Sequence, residues 1–167
     1  MEASRILVNE IFIVEEIDMV PTKINNVLTK VKNKIFSKVS RIFASSISRK
    51  IQILIDINTE IYKIQEGDIL ELSIVFPPFL NIEGIKCNEN SNSSIEKLFL
   101  NSHDLIDSYE YVMYGTVYHS GIDGINFFIY ASFGGLLMKI FGKNDKPETN
   151  VESIQIDSKI LLCIRKQ

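Results

Sequence analysis

The sequence predicts an antiparallel all-β fold, and three patterns carry that prediction. Residues 51–58 alternate isoleucine with other side chains, which is the period of two expected of a strand with one buried face. Residues 126–142 hold two apolar runs that meet at Gly134-Gly135. Such a pair favours a tight hairpin, because its turn needs positive φ angles that glycine adopts at little steric cost. No stretch predicts a strong long helix, and all four prolines fall in predicted connections.

The hairpin pattern also predicts which side chains face the interior. If Gly134 and Gly135 form the loop, the inward pairs are Phe133–Leu136, Ala131–Met138 and Ile129–Ile140, all of them apolar. The opposite face pairs Ser132–Leu137, Tyr130–Lys139 and Phe128–Phe141. Such a mixed face is either the second side of a closed barrel or a surface that awaits a partner.

The remaining strands follow from alternation and turn residues. They are predicted at residues 5–17, 39–43, 61–64, 69–76, 109–118 and 159–165. The inward sets in the first and fourth of these are Ile6, Val8, Phe12 and Val14, and Leu70, Leu72, Ile74 and Phe76. About eight strands with short connections fit a barrel or a sandwich, and a barrel better removes exposed edges.

Two longer connections separate these strands. Residues 19–35 form a lysine-rich connector in which Ile24, Val27, Leu28 and Val31 recur at helical spacing, so a short amphipathic helix and a solvated connector both fit. Residues 77–108 are rich in asparagine and serine and predict one long flexible loop.

Composition narrows the class of protein. The chain has 167 residues, 46% hydrophobic and 23% charged, which suits one domain over residues 1–167. Its net charge of −3 argues against nucleic-acid binding as the main function of the protein.

The apolar run near the N-terminus is too short and too polar to be a signal peptide or a membrane span. We therefore expect a soluble intracellular protein. Cys87 and Cys163 lie in unlike contexts, which indicates a reducing compartment rather than a disulfide.

The sequence shows no recognisable set of catalytic residues. His103 beside Asp104 is predicted to be a solvated loop residue, and His119 a turn residue. The acidic residues at 15, 16 and 18 indicate a solvated strand end, and Gly121-Ile-Asp-Gly124 indicates a turn rather than a phosphate-binding loop. We therefore predict no catalytic residue, no metal site and no cofactor.

Several motifs resemble one protein family along most of the chain. In the C-terminal half they are Tyr109-Glu-Tyr-Val-Met-Tyr-Gly-Thr-Val-Tyr118, Ala131-Ser-Phe-Gly-Gly-Leu-Leu-Met-Lys139 and Val151-Glu-Ser-Ile-Gln-Ile-Asp-Ser-Lys159 with Leu161-Leu162. In the N-terminal half they are Phe36-Ser-Lys-Val-Ser-Arg41, Asp56-Ile-Asn58, Ile61-Tyr62 and Gly67-Asp68. These motifs are similar to the small eighth subunit shared by eukaryotic RNA polymerases I, II and III. The resemblance lapses at about residues 19–34 and 77–108.

The resemblance implies both a fold and a function. The fold would be an eight-stranded barrel resembling an oligonucleotide/oligosaccharide-binding fold. The function would be that of a non-catalytic nuclear subunit that docks on the largest polymerase subunit and supports transcription. The residues expected to bind that partner surround the glycine turn: Tyr114, Gly115, Phe133, Gly134, Gly135, Leu136 and Leu137.

Two alternatives remain open from the residues themselves. One is a barrel that binds single-stranded nucleic acid by stacking on Tyr62, Tyr114 or Tyr130. The other is an enzyme or ligand carrier, which would need an open, lined cavity, whereas eight strands leave room for packed side chains or one small ligand.

Overall fold

Eight strands close into an antiparallel barrel in the computed structural model, which describes residues 6–76, 107–143 and 154–167. The strands of the described chain are β1 Ile6–Ile17, β2 Met19–Ile24, β3 Val27–Lys32, β4 Val39–Ser46, β5 Ile51–Asn58, β6 Ile69–Val75, β7 Tyr111–Asp123, β8 Asn126–Phe133, β9 Leu136–Lys143 and β10 Lys159–Lys166. Around the barrel the order is β1-β4-β5-β9-β8-β7-β10-β6, and β6 returns to pair with β1. The strands β2 and β3 form a separate two-stranded sheet. The predicted barrel is therefore confirmed.

The core lies inside the barrel and is filled by the alternating residues of each strand. In β5 the four isoleucines at 51, 53, 55 and 57 are buried, as the period of two predicts. Phe12, Val117, Ile140 and Leu162 have no measurable exposure, so the interior is packed with side chains. An eight-stranded barrel is just wide enough for its own side chains to fill, as they do here.

The glycine hairpin has the predicted register. Phe133 pairs with Leu136, Ala131 with Met138 and Ile129 with Ile140, and all but Leu136 are buried. The φ angles of Gly134 and Gly135 are 61° and 100°, which is the left-handed pair that a tight two-residue turn needs. Turn chemistry and apolar pairing thus select one register together.

The structure corrects the interpretation of residues 19–35. They form the hairpin β2–β3 rather than a helix or an unstructured connector, and Pro21 lies inside β2 rather than in a connection. Asn25 and Asn26 occupy the turn with φ angles of 50° and 63°, a conformation that asparagine tolerates better than most residues. The helical spacing of the apolar residues was misleading because the chain reverses between Ile24 and Val27.

Further expectations were also wrong. Asp18, expected at a solvated strand end, is buried and accepts a hydrogen bond from the backbone N–H of Arg41 at 2.9 Å. A bulge between Ile6 and Val8 turns Ile6 outward, so Leu7 rather than Ile6 is buried. Residues 61–64 are a turn and an irregular segment, not a strand. His119 lies within β7, beside a bulge, because β7 runs on to Asp123 and the turn begins only at Gly124.

Some expectations fall on parts of the chain that lie outside the described residues. These are most of the loop at 77–108, with Cys87 and His103, and the prolines at 77, 78 and 147. Within the described ranges, no helix is long and apolar enough to cross a membrane.

Candidate functional site

The glycine turn of β8–β9 forms an exposed tip at one end of the barrel. Gly134 and Gly135 are exposed, and Leu137 is 42% exposed on the outer face of β9. On the neighbouring strand β7, Thr116 pairs with Ser132 of β8, and this register places Tyr114 level with the turn. Tyr114 is 41% exposed. We call Tyr114, Gly134, Gly135 and Leu137 the tip surface, since they combine a bare backbone with two apolar side chains that water still reaches.

The other predicted residues support the tip from inside. Phe133 is only 5% exposed, and Gly115 is buried and has no side chain, so neither residue can offer a side chain to a partner. A Cβ atom on residue 115 would overlap the Phe133 ring and would lie 2.5 Å from the carbonyl oxygen of Ser132. Gly115 is therefore the space into which the Phe133 ring fits. Leu136 is half-buried against the core.

A buried carboxylate fixes the tip to the neighbouring strands. Asp56 of β5 accepts hydrogen bonds from Arg41 Nε at 2.7 Å and Arg41 Nη2 at 2.9 Å. The same carboxylate accepts a bond from the backbone N–H of Leu137 at 3.1 Å. The hydrogen bond with Asp56 raises the pKa of Arg41 above its ordinary value. The β5–β9 ladder has its last pair at Ile55 and Met138, so the Asp56 side chain takes over where backbone pairing stops.

A second surface lies on the outer face of β7, β8 and β9. A groove of about 510 Å³ is lined there by Arg49, Lys50, Gln52, His119, Asn126, Phe127, Phe128, Tyr130, Lys139, Phe141, Gly142 and Lys143. Four of these side chains are permanent cations, and no carboxylate lines the groove among the described residues. We call it the basic groove; it is locally positive in a chain whose net charge is −3.

Aromatic rings form the floor of the basic groove. The rings of His119 and Phe128 lie 5.1 Å apart between centroids, and those of Phe128 and Tyr130 lie 5.9 Å apart. The ammonium of Lys139 sits 4.8 Å from the centroid of Phe141 and 5.4 Å from that of Tyr130. Flat apolar rings beside cations suit a ligand that carries both negative charge and planar groups.

The structure separates the three tyrosines proposed for stacking. Tyr62 is stacked on Tyr111 at 5.1 Å, and its hydroxyl donates to Glu110 at 2.6 Å, so its ring already has a partner. Tyr114 belongs to the tip surface. Only Tyr130 lies in the basic groove.

Sequence reasoning missed the Arg41–Asp56 pair and the cations of the basic groove. Alternation along β5 placed Asp56 opposite the isoleucines, but its partner depends on the β4–β5 register, which sets Arg41 opposite Asp56. Arg49 and Lys50 precede β5, whereas Lys139 and Lys143 lie on β9, so they meet only through the β5–β9 pairing. The short turn between β4 and β5 was the available signal, because the length of a hairpin turn sets the register of the two strands that it joins.

The described part of the chain contains no group of three or more His, Cys, Asp or Glu side chains that could hold a metal ion. Burial raises the pKa of the Cys163 thiol to about 11, so this cysteine is a poor nucleophile at neutral pH.

Comparisons with known proteins agree with the resemblance read from the motifs. The family model described as RNA polymerase Rpb8 matches residues 10–166. A Caenorhabditis briggsae protein named probable DNA-directed RNA polymerases I, II, and III subunit RPABC3 is 34% identical over 138 residues, covering 80% of this chain and 85% of its own. Subunit 8B of DNA-directed RNA polymerases II, IV and V from Arabidopsis thaliana is 29% identical over 169 residues, covering 99% of both chains. The Saccharomyces cerevisiae RPABC3 subunit is 34% identical over 110 residues, covering 64% of this chain and 74% of its own.

Proposed function

The chain belongs to the RNA polymerase Rpb8 family, and on this basis we propose that it is a non-catalytic subunit shared by the nuclear DNA-directed RNA polymerases I, II and III. The family match over residues 10–166 is the observation that carries the proposal. It is supported by the Caenorhabditis briggsae relative, whose name gives that role and of which the chain covers 85%. The Arabidopsis thaliana relative, of which the chain covers 99%, is also named as a polymerase subunit, but of polymerases II, IV and V. The chain would act in the nucleus, as part of the transcribing complex.

A structural rather than chemical task fits the barrel. Its interior is filled by packed side chains. A rigid barrel can instead hold a neighbouring subunit in shape, because a closed sheet has no free edge along which it could open.

We place the contact with the largest polymerase subunit at the tip surface. The exposed glycines allow a foreign backbone to approach closely, since no side chain intervenes. Tyr114 and Leu137 flank them with apolar area, and aromatic anchors are enriched where protein interfaces gain most of their energy. Asp56 reduces the ordering cost of docking, because it holds the backbone of Leu137 before the partner arrives.

Affinity purification tests the subunit assignment. The tagged chain is expressed in its own cells, and the proteins recovered with it are identified and quantified. We expect the large subunits of all three polymerases in fixed proportion to the tagged chain. Recovery of the chain without polymerase subunits would refute the assignment.

A second candidate function, binding of single-stranded nucleic acid, is favoured by the basic groove. Its cations would contact phosphates, and the rings of Phe128, Tyr130 and Phe141 would stack on bases. The two functions are compatible, because the basic groove and the tip surface involve different residues.

A salt titration tests this second function. A fluorescent oligothymidylate is titrated with the full chain at several salt concentrations, and the logarithm of the binding constant is plotted against that of salt. Four phosphate contacts predict a slope of about −3. Lys139→Gln should lower the magnitude of that slope by about 0.7, whereas Lys38→Gln, on an exposed lysine paired with Glu60, should leave it unchanged. Equal slopes for the two variants would remove the basic groove as the site.

A further inference from the structure

The hairpin β2–β3 stands outside the barrel, and one of its strand edges has no partner within residues 6–76, 107–143 and 154–167. Every residue of β3 is exposed, including Val27 at 61% and Leu28 at 71%. Among the residues that the structure describes, its strands pair only with each other, from Met19–Lys32 to Ile24–Val27. A lone two-stranded ribbon is marginally stable in water, so an unpartnered one of this kind is suited to accept another strand.

The turn geometry shows which backbone groups point outward. In a two-residue hairpin of this type the pair next to the loop, Ile24–Val27, exchanges both backbone hydrogen bonds, and bonded and non-bonded pairs then alternate. The backbone N–H and C=O groups of Leu28, Lys30 and Lys32 therefore point away from β2. Between residues 27 and 32, no backbone hydrogen bond joins β3 to the described part of the barrel.

Only one of the two edges is open to pairing. Pro21 pairs with Lys30 at a non-bonded position, so its missing N–H would have pointed outward from β2. This costs the hairpin no hydrogen bond but blocks the β2 edge, as prolines on edge strands do. The β3 edge carries no such block.

The two faces of the hairpin differ in charge, because all three lysines of β2 and β3 lie on one face, together with Met19, Pro21 and Leu28. Lys30 and Lys32 share one face and reach back to the barrel, where Lys30 pairs with Glu16 at 2.7 Å and Lys32 with Glu66 at 3.5 Å. The opposite face carries Val20, Thr22, Ile24, Val27, Thr29 and Val31. That apolar face is turned away from the barrel and remains partly exposed.

The charge of the hairpin specifies the occupant. Residues 19–38 contain five lysines and no carboxylate, although the whole chain has a net charge of −3. Lys30 and Lys32 pair with Glu16 and Glu66 of the barrel, yet their side chains stay 54% and 66% exposed and can meet a second carboxylate. A second copy of the chain would bring lysine against lysine on the paired edges, which opposes self-association. A strand with acidic side chains on one face and apolar ones on the other complements both faces of the hairpin.

We propose that the β3 edge binds an extended acidic–apolar segment of a partner protein, which adds a third strand beside Leu28, Lys30 and Lys32. The carboxylates of that segment would lie beside Lys30 and Lys32, and its apolar residues beside Val27 and Val31. This site is independent of the tip surface and of the basic groove, so it stands whether or not either of those binds its proposed partner.

A peptide titration on the full chain tests the proposal. The probe is a capped, fluorescent peptide of about seven residues that alternates Glu with Val, a length that spans one strand. A peptide with Lys in place of Glu is the control. We expect the acidic peptide to bind at least about tenfold more tightly than the basic one, because like charges on adjacent strands are destabilising. Equal binding of the two peptides, or none, would overturn the proposal.

Lys30→Pro separates backbone pairing from charge. Proline removes the outward N–H of residue 30 and, as at Pro21 across the ladder, breaks no hydrogen bond within the hairpin. Lys30→Gln removes the same charge and keeps the N–H. We expect Lys30→Pro to weaken acidic-peptide binding about tenfold more than Lys30→Gln does, as loss of a strand-pairing hydrogen bond requires. Equal effects of the two variants would contradict strand addition.

Amide exchange gives a readout at the residues themselves. By nuclear magnetic resonance, the outward amides of Leu28, Lys30 and Lys32 should exchange quickly in the free chain and slowly with the peptide bound. The amides of Thr29 and Val31, which face β2, should change little. Protection elsewhere but not at these three amides would place the peptide at another site. A dimer by sedimentation that Lys30→Pro abolishes would assign the edge to a second copy instead.

Discussion

The carboxylate of Asp56 accepts two hydrogen bonds from the guanidinium of Arg41, at 2.7 and 2.9 Å, on the outer face of adjacent strands β4 and β5. The Asp56 side chain is 11% exposed and that of Arg41 is 49% exposed, so the carboxylate is the more enclosed partner. The carboxylate also holds the backbone N–H of Leu137. This link connects the barrel wall to the tip surface.

Asp56→Ala should lower the free energy of unfolding by about 2 kcal/mol, because the backbone N–H of Leu137 and the guanidinium of Arg41 both lose a charged acceptor. The measurement is urea denaturation followed by circular dichroism. The matched control is Glu60→Ala, which removes an exposed pair with Lys38 at 3.2 Å and should cost less than about 0.5 kcal/mol. Equal losses in the two variants would mean that the Asp56 link does not stabilise the barrel.

Gly115→Ala should destabilise the barrel by about 3 kcal/mol, because the added methyl group meets both the Phe133 ring and a backbone carbonyl. Phe133→Leu in the same chain should recover only part of that loss, since the carbonyl of Ser132 stays 2.5 Å from the new carbon. Thermal unfolding of the single and double variants checks this coupling.

Gly121→Ala is the control for this steric argument. Its added carbon would lie 2.6 Å from the far end of the Phe128 ring, on the outer face, where the ring can move aside. We expect a loss smaller than that of Gly115→Ala. If the two alanine variants are equally stable, the fit of Phe133 against Gly115 is not what fixes residue 115 as glycine.

The hydrogen bond from Tyr62 to Glu110 should make stability depend on pH at both ends of the range. The bond from Tyr62 lowers the pKa of Glu110 below its ordinary 4.5, so that contribution is present above pH 4.5 and is lost as pH falls through the folded pKa. Burial, followed by the bond to Glu110, raises the pKa of Tyr62 above its ordinary 10.0. That contribution is present below pH 10.0 and is lost as pH rises through the folded pKa.

Tyr62→Phe should therefore flatten the stability profile on both sides while leaving the ring stacked on Tyr111. Urea midpoints from about pH 3 to about pH 11 provide the measurement, with neutral pH showing the largest loss. Tyr118→Phe is the control, because its hydroxyl makes no hydrogen bond with the described part of the chain and it is 46% exposed. A profile for Tyr62→Phe that parallels the wild type would contradict the pairing.

The sequence predicted the structure best where the local turn preference and burial in the core favour the same arrangement. Gly134-Gly135 dictates a turn, the turn dictates the register, and the register buries Ala131 and Ile140. At residues 19–35 the apolar spacing fitted a helix as well as a hairpin, and only the left-handed pair Asn25-Asn26 distinguishes them. A stronger weight on that dipeptide would have found the hairpin.

The candidate sites were only partly predictable, for a different reason. Three of the four tip-surface residues surround one turn, so their proximity could be predicted from the sequence, whereas Tyr114 joins them only through the β7–β8 register. Phe133 supports this surface from inside and is not part of its exterior. Partner binding at the tip surface stays a prediction. The basic groove brings together Arg49, from the turn before β5, and Lys143, at the end of β9, so its charge becomes visible only once β5 pairs with β9. The net charge of the whole chain, −3, does not reveal this local excess of positive charge.

The most direct test of the account is a quantitative purification of three tagged chains from their own cells. The wild type is compared with Leu137→Glu, which puts a charge on the tip surface at a residue 42% exposed. The control is Ile47→Glu, which puts a charge away from the tip surface at a residue 59% exposed. We predict that the wild type and Ile47→Glu each recover the largest polymerase subunit in a fixed, equal ratio, and that Leu137→Glu recovers at least about tenfold less, as loss of a central apolar contact would produce. Undiminished recovery with Leu137→Glu would contradict docking at the tip surface. Absence of the polymerase from the wild-type sample would contradict the proposed function itself.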